Sequence, residues 1–294
     1  MGVYVVMWID RNFLYWLCKI HCFFLSGGHI YGQSWPAGGR AAGMANAALC
    51  NVDIYAAFNN PGALGFLKRS AIGLWYDNRF LLPDLSSAGI STAYASRSLG
   101  VFNLAFSRFG GRLFNRNKAS FCYARSFSPY VSAAMQFHYH YVAFADMYGH
   151  AHGFSADLGI VTKPIHDLML AFLVNNPIPQ RIASFDNERL PTVIRFGLSY
   201  LWGGKLRSNT EIEKDLDRPF SGRLGLEYLP LKQLQIRGGI GTGPVIAAFG
   251  IGLSIGILQL DLASVYHQVL GFSPNAGISV QFGPEVKSKK SKEP

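Results

Sequence analysis

Polar and apolar side chains alternate at every second residue over long stretches of this chain. In the segment 130–145, YVSAAMQFHYHYVAFA, polar Gln136 and His138 alternate with apolar Met135 and Phe137. A helix would instead repeat its apolar residues at intervals of three and four positions. The period of two predicts a β-strand with one polar face and one apolar face.

The same alternation recurs along the chain from Ala71 onward, in segments such as IGLWYDNRF and VIRFGLSYL. Turn residues separate the segments, and we count about 14 of them. An even number of such segments suits a closed bacterial barrel. Their approximate starts are Ala71, Ser87, Val101, Asn117, Tyr130, Ala151, His166, Thr192, Lys205, Phe220, Lys232, Val245, Leu258 and Asn275.

Connections between these segments alternate between short and long. Leu99-Gly100 and Gly203-Gly204 are tight turns, whereas Asn175–Pro191 is long. Tight turns on one rim and longer loops on the other are typical of outer-membrane barrels, in which the tight turns are periplasmic. The sequence therefore predicts an all-β fold, a transmembrane antiparallel β-barrel of about 14 strands over residues 70–283, in the cell outer membrane.

The composition supports a barrel rather than a water-soluble globule. Hydrophobic residues make up 49% of the chain and charged residues only 15%. No continuous apolar run of about 20 residues occurs, so we predict no transmembrane helix in the mature chain. A sheet in hydrocarbon satisfies all its backbone groups only when it has no free edge. Closure therefore places the polar positions in the lumen.

The two ends of the chain are predicted to lie outside the barrel. Residues 1–33 have a short apolar core followed by small residues, which indicates a signal peptide. The segment before the core is unusual for such a peptide, which suggests a start codon downstream of Met1. Residues 284–294 form a basic tail, predicted to be periplasmic, that is too polar to be buried. Apart from this tail, the lysines and arginines behind the net charge of +10 are scattered, so a nucleic-acid partner is not predicted.

Residues 34–69 lack the period of two and are rich in glycine and alanine. Their small side chains could pack tightly inside a barrel, so we predict an N-terminal lumenal plug of short helices. A flexible periplasmic linker is the alternative, because glycine-rich segments are often flexible.

This segment resembles the N-terminus of FadL-type outer-membrane proteins and of their relatives in Bacteroidota, the PorV/PorQ group of type IX secretion. Two motifs carry the resemblance, GGRAAGMANAAL and AAFNNPGALG. The matching plug residues are Gly39, Arg40, Gly43, Met44, Ala47, Asn60, Pro61, Gly62 and Leu64. The resemblance implies a barrel of the same strand number whose N-terminal segment folds inward as a plug.

The PorV/PorQ side of the resemblance implies a non-enzymatic, partner-binding accessory subunit of a larger outer-membrane secretion or assembly machine. The alternative is a FadL-like channel for uptake of hydrophobic small molecules. The longest loop, NNPIPQRIASFDNERLP, is shorter than the large entry loops of FadL transporters, which favours the accessory subunit. Expected partners are outer-membrane lipid, other outer-membrane proteins and a hydrophobic ligand in the lumen.

Polar side chains on the lumenal side are the candidate site residues. Ionisable groups within a membrane-spanning region normally pair or face water. We expect these groups to pair across the lumen or to dock the plug, and Arg40 to meet Asp77 or Glu227. The candidates are Asp77, Arg79, His138, His140, Arg195, Arg223, Glu227, Arg237 and Asp261.

Catalytic, metal and cofactor sites are not predicted. His138 and His140 share a face, but a zinc site needs at least three protein ligands and no third lies nearby in sequence. GFSAD at 153–157 lacks the last glycine of a nucleophile elbow. GGIGTGP at 238–244 lacks the Lys-Ser/Thr of a phosphate loop. Cys50 and Cys122 do not suggest a disulfide framework.

Overall fold

The computed structural model describes residues 37–96, 98–144, 149–178, 190–216 and 218–285. The signal segment predicted for residues 1–33 lies outside these ranges, as do the lysines of the tail. Within the described ranges, no helix has the length and apolarity needed to span a bilayer.

A closed antiparallel barrel of 14 strands forms the body of the molecule, and β1 pairs with β14 to complete the ring. This confirms the predicted fold class. The strands are β1 (Ser70–Asn78), β2 (Ser86–Ser96), β3 (Gly100–Gly110), β4 (Phe114–Ser126), β5 (Val131–Phe144), β6 (His150–Ile165), β7 (Leu168–Asn175), β8 (Val193–Trp202), β9 (Leu206–Asp215), β10 (Ser221–Tyr228), β11 (Leu234–Gly241), β12 (Ile246–Ile255), β13 (Leu258–His267) and β14 (Gly271–Phe282).

The predicted strand starts agree with these bounds to within three residues, except at β14. This strand begins at Gly271, whereas the sequence pattern placed its start at Asn275 because Pro274 was taken as part of a turn. The structure gives the reason for the difference. Pro274 pairs with Ser264 of β13, but the pairing of β14 with β1 begins only at Asn275. Proline is tolerated there because the strand has one free edge at that position.

The outer surface of the barrel is apolar. On β5, Met135, Phe137 and Tyr139 are exposed on the outside, whereas His138 and His140 are buried on the inside. The same pattern holds on β12, where Phe249 is exposed. So many exposed large apolar side chains on a monomer belong against lipid.

A plug formed by residues 37–69 fills the lumen. It contains helix α1 (Gly39–Gly43), helix α2 (Ala56–Asn59) and a 3₁₀-helix over Pro61–Phe66. Helix α1 contacts β11 to β14, and the 3₁₀-helix contacts β3 to β6. The most deeply buried large side chains of the described chain include Tyr55, Met44 and Leu49 of this segment.

Glycines on the lumenal face of the strands make room for the plug. A Cβ atom at Gly225 would lie 2.5 Å from Met44 Cβ, and one at Gly73 would lie 2.5 Å from Cγ2 of Ile54. Such distances are not tolerated by real side chains, so plug and wall fit only because these positions lack a Cβ. The strand glycines at which a Cβ would lie 3.0 Å or less from a plug atom are Gly73, Gly159, Gly197, Gly225, Gly239, Gly250 and Gly277.

Candidate functional site in the plugged lumen

Charged side chains concentrate on one wall of the lumen, formed by β8 to β13. Arg237 of β11 lies at its centre: its Nε donates to Glu227 Oε2 at 2.9 Å, and its Nη1 donates to Asp261 Oδ1 at 2.6 Å. All three side chains are at least nine-tenths buried. Buried charges require partners of this kind. We call β8 to β13 the charged wall.

A second group of ions lies on the same wall. Arg195 Nη2 is 2.7 Å from Glu213 Oε2, and Arg223 Nη1 is 2.8 Å from Glu211 Oε1. Arg223 Nη1 is also 2.9 Å from Glu213 Oε2, so the two arginines share two carboxylates. The charges thus balance within the group.

Arg40 joins the plug to this wall. Its Nε donates to Glu227 Oε2 at 2.9 Å, and its Nη2 donates to Oε1 at 2.7 Å, which gives a bidentate pair. Its Nη1 also donates to Asp53 within the plug at 3.3 Å. Burial raises the pKa of Asp53, and the charge of Arg40 opposes that rise. Of the two partners suggested from the sequence, Glu227 is the one that Arg40 contacts.

Backbone groups of the plug are also bound by the charged wall. Glu211 Oε2 accepts from the backbone amides of Ala48 at 3.1 Å and Leu49 at 3.2 Å. Asn209 Nδ2 donates to the carbonyl of Ala47 at 2.9 Å. A carboxylate that accepts two amides and one arginine satisfies a turn that would otherwise be buried without partners.

The opposite side of the lumen, on β2 to β4, is apolar where it meets the plug. Five of its inward side chains belong to one buried hydrophobic cluster with Leu64 of the plug, whereas the buried Asn103 and Ser120 bond to other strands of the barrel. Among the described residues, no side chain of β2 to β4 makes a hydrogen bond or ion pair with the plug. We call this surface the apolar wall, and its members are Ala93, Val101, Ala105, Cys122 and Ala124.

Polar contacts between plug and barrel resume on both sides of the apolar wall. On β5, Gln136 Nε2 donates to the carbonyl of Ala57 at 2.9 Å, and Ser132 Oγ donates to that of Gly62 at 2.8 Å. On the other side, the Tyr55 hydroxyl donates to the carbonyl of Leu74 on β1 at 2.9 Å.

His138 and His140 lie on β5 farther along the lumen, where each contacts a polar side chain of a neighbouring strand. His138 Nε2 is 2.9 Å from Asp157 Oδ2, and its Nδ1 is 2.7 Å from Ser120 Oγ. His140 Nε2 is 2.8 Å from Ser155 Oγ. Within the described ranges, no group of three or more His, Cys, Asp or Glu residues is arranged to hold a metal ion.

Asp77 and Arg79 pair with each other at the long-loop end of β1, with Arg79 Nε 3.2 Å from Asp77 Oδ2. They do not contact Arg40. The nine lumenal candidates therefore fall into four groups. Glu227, Arg237 and Asp261 form the first, and Arg195 and Arg223, which share Glu211 and Glu213, form the second. Asp77 with Arg79 is the third, and the neighbouring His138 and His140 are the fourth.

The plug motif residues have structural roles. Asn60 Nδ2 donates to the carbonyl of Leu49 at 3.0 Å, and its Oδ1 accepts from the amide of Gly62 at 3.0 Å. Pro61 begins the 3₁₀-helix. A Cβ at Gly39 would lie 2.6 Å from the carbonyl oxygen of Asp261, and Gly43 lies against Gly250.

Several lumenal residues were missed by the sequence analysis. Glu211 and Glu213 flank the exposed Ile212 within EIE, so the period of two does mark them. Asp157 was considered only as part of a possible nucleophile motif. The alternation placed Gln136 on the polar face of β5 but gave no sign of its contact with the plug, and Asn209 was not singled out because a neutral amide on a polar face has no distinctive spacing.

Comparison with known proteins shows similarity in structure alone. No protein-family model matches the sequence, and no curated protein matches it. Among solved structures, the CymD monoaromatic hydrocarbon channel superposes with a TM-score of 0.66 at 10% identity, over 85% of this chain and 98% of that one. The P. putida toluene transporter TodX gives 0.65 at 10% identity, over 85% and 99%. A Pseudomonas aeruginosa FadL homologue gives 0.61 at 12% identity, over 86% and 100%.

These neighbours are outer-membrane channels, and the exposed apolar surface described above requires lipid. The predicted location in the outer membrane is thereby confirmed. At 10 to 12% identity the similarity is one of fold. The chain therefore has the fold of the FadL-type outer-membrane channels, with a plug that is bound by charges on one wall and packed against an apolar wall on the other.

Proposed function

We propose that this barrel is a channel through which small hydrophobic molecules cross the outer membrane. The observation that carries the proposal is the apolar wall, which faces the plug in a fold that is also found in hydrocarbon channels. This is the alternative that the sequence analysis placed second.

The two walls differ in what a passing molecule has to displace. Along the charged wall, it would break the bidentate pair of Arg40 with Glu227, so that Arg40 would keep only Asp53 and Glu227 would keep only the arginines of the wall. Along the apolar wall, it would replace van der Waals contacts with similar ones, since these side chains make no polar contact with the plug. Burying apolar surface gains roughly 25 cal/mol per Å². The route between the plug and β2 to β4 is therefore the one along which a hydrophobic molecule breaks no polar contact of the plug.

Uptake of labelled toluene tests this function. Cells that produce the full-length protein should take up toluene faster than cells with an empty vector. Ala105→Trp would fill the apolar wall from the lumenal side and should reduce uptake to the empty-vector rate. Ala247→Trp is the matched control, because Ala247 is exposed on the outer face of β12, and it should leave uptake unchanged.

The accessory role implied by the PorV/PorQ resemblance makes a different prediction. Toluene uptake would equal the empty-vector rate for the unmodified protein, and the barrel would purify in mild detergent as a stable complex with a larger outer-membrane protein. No specific feature of the described residues favours that role, and it stays a prediction of the sequence resemblance.

A further inference from the structure

An apolar groove of about 470 Å³ lies on the lipid-facing surface of β2 to β6. Its floor is Ala119, an exposed small residue between larger ones. In the strand register, Ala119 is directly opposite Phe106 on β3 and Tyr139 on β5, and Tyr139 is opposite Phe154 on β6. Directly opposite side chains lie about 5 Å apart, so one alanine in such a row of rings leaves a depression.

A row of polar side chains borders this groove on the side of the long loops. Arg108 pairs with Asn117, Asn117 with Tyr141, and Tyr141 with His152. The row therefore crosses four neighbouring strands. On β4 it lies two residues from Ala119, toward the long loops and on the same outer face. We call Arg108, Asn117, Tyr141 and His152 the polar row. Arg108 and His152 are exposed.

His152 is held in place by the aromatic residues around it. The Tyr139 hydroxyl lies 2.5 Å from His152 Nδ1, and the Tyr141 ring centroid is 5.3 Å from that of His152. Because the bond to Tyr139 uses Nδ1, Nε2 is the nitrogen that could donate to a ligand. The exposed His150 stacks edge to face on His152 at 5.2 Å.

We infer that the groove and the polar row form one lipid site, which binds the lipid A of outer-leaflet lipopolysaccharide. The groove takes an acyl chain, while Arg108 and His152, three strands and therefore about 15 Å apart, each take one of the two phosphates. Arginine suits this role, because its planar fork of donors matches phosphate geometry.

The depth of the polar row in the membrane indicates that the bound lipid belongs to the outer leaflet. The row lies near the ends of β3 and β5 that lead into the longer loops, and the longer loops of outer-membrane barrels are extracellular. At that depth, the headgroup of an outer-leaflet lipid meets the polar row while its chains extend past Ala119. The inference does not depend on what passes through the lumen.

Native mass spectrometry of the full-length protein in detergent micelles tests the site, with bis-phosphorylated lipid A as the probe. We expect one bound lipid A per barrel. Arg108→Ala should weaken its binding by about tenfold, which is the scale of one charge-assisted hydrogen bond. Arg125→Ala is the matched control: Arg125 is exposed on β4 at the opposite rim, and its loss should leave lipid A binding unchanged.

Two further measurements separate the parts of the site. Ala119→Phe should reduce binding by filling the groove, whereas Ala247→Phe on the far wall should not. Lipid A without phosphates and phosphatidylethanolamine should both bind more weakly than intact lipid A. Resistance of each variant to unfolding in SDS without heating confirms that the barrel is folded. Equal binding of all three lipids, or unchanged lipid A binding by folded Arg108→Ala and Ala119→Phe, would overturn the inference.

Discussion

Gly239 of β11 lies directly against the backbone of Met44 in the plug: a Cβ atom at Gly239 would be 2.5 Å from the Met44 carbonyl carbon. The neighbouring Gly238 points the other way, and a Cβ there would find only the carbonyl oxygen of Ala248, at 3.8 Å. Two adjacent glycines of one strand thus have opposite relations to the plug.

Gly239→Ala should displace the plug, because the obstacle is backbone and cannot rotate away. We expect limited proteolysis to cleave within residues 37–69 faster in this variant than in the unmodified protein. Gly238→Ala is the control, since it adds the same methyl group to the same strand in ordinary contact. Equal cleavage of the two variants would mean that the plug does not depend on this close fit.

Arg40→Ala should loosen the plug by leaving Asp53 and Glu227 with fewer partners. Removing one member of a buried ion pair costs roughly 3 to 5 kcal/mol, and here the remaining bond from Arg237 to Glu227 reduces the loss. Hydrogen exchange of the plug amides measures the effect. Arg40→Lys should lie between Ala and the unmodified protein, because lysine keeps the charge but not the bidentate geometry. A plug as protected in Arg40→Ala as in the unmodified protein would contradict this role.

Glu211→Ala should expose one particular turn of the plug. The amides of Ala48 and Leu49 lose their common acceptor, so their hydrogen exchange should speed up more than that of Gly62, whose acceptor is Asn60 within the plug. Glu285→Ala is a control at the surface, where the pair with Lys68 spans 3.9 Å. Uniform acceleration across the plug would indicate general loosening instead.

The Cys50 thiol should report whether the plug is in place. Burial, followed by the charge of Glu211, raises the pKa of Cys50 to about 12. Maleimide reacts with thiolate, so Cys50 should stay unlabelled at pH 8 in the folded protein and become labelled in Gly239→Ala. Peptide mass spectrometry distinguishes Cys50 from the other cysteines.

The raised pKa of Cys50 also predicts how the free energy of unfolding depends on pH. Above the ordinary thiol pKa of 9.0, an unfolded chain has lost a proton that folded Cys50 keeps up to about 12. The unfolded state then binds fewer protons, so the free energy of unfolding should fall as the pH rises through that window. Cys50→Ala should remove this part of the pH dependence, and an identical profile for the two proteins would contradict it.

Lysine substitutions at two positions along β12 test how deeply its lipid-facing surface lies in the membrane. Ile251 lies in the middle of β12 and is exposed, whereas the exposed Ile257 lies in the turn after it. Lysine at the midplane of a barrel costs about 2 to 4 kcal/mol and much less near the interface. Ile251→Lys should therefore lower the free energy of unfolding in bilayers far more than Ile257→Lys. Equal costs would mean that β12 is not centred in the membrane.

Much of the barrel was predictable from sequence, because alternation along a strand is a local property. Ile212 faces lipid and its neighbours Glu211 and Glu213 face the lumen for the same reason that Phe137 and His138 face opposite ways. Strand β14 is the informative exception: the sequence pattern placed Pro274 in the turn before the strand, but the one-sided pairing there allows the strand to begin earlier.

The fit between plug and wall was not predictable in the same way. The sequence analysis identified Met44 and Gly43 as motif residues, but nothing local links Met44 to Gly225 and Gly239 on distant strands. Such partners are set by how the chain closes into a ring. The asymmetry of the lumen has the same origin, since it appears only when the inward residues of β2 to β4 are compared with those of β8 to β13.

That asymmetry leaves one arc of the described barrel without polar anchors for the plug. Arg40, Ala48 and Leu49 fasten it to β9 and β10, and nothing polar fastens it to β2, β3 or β4 among the described residues. In the channel that we propose, a hydrophobic molecule that enters along Ala105 and Cys122 would leave the salt bridges intact. Passage of the molecule and retention of the plug would then be separated around the circumference of one barrel.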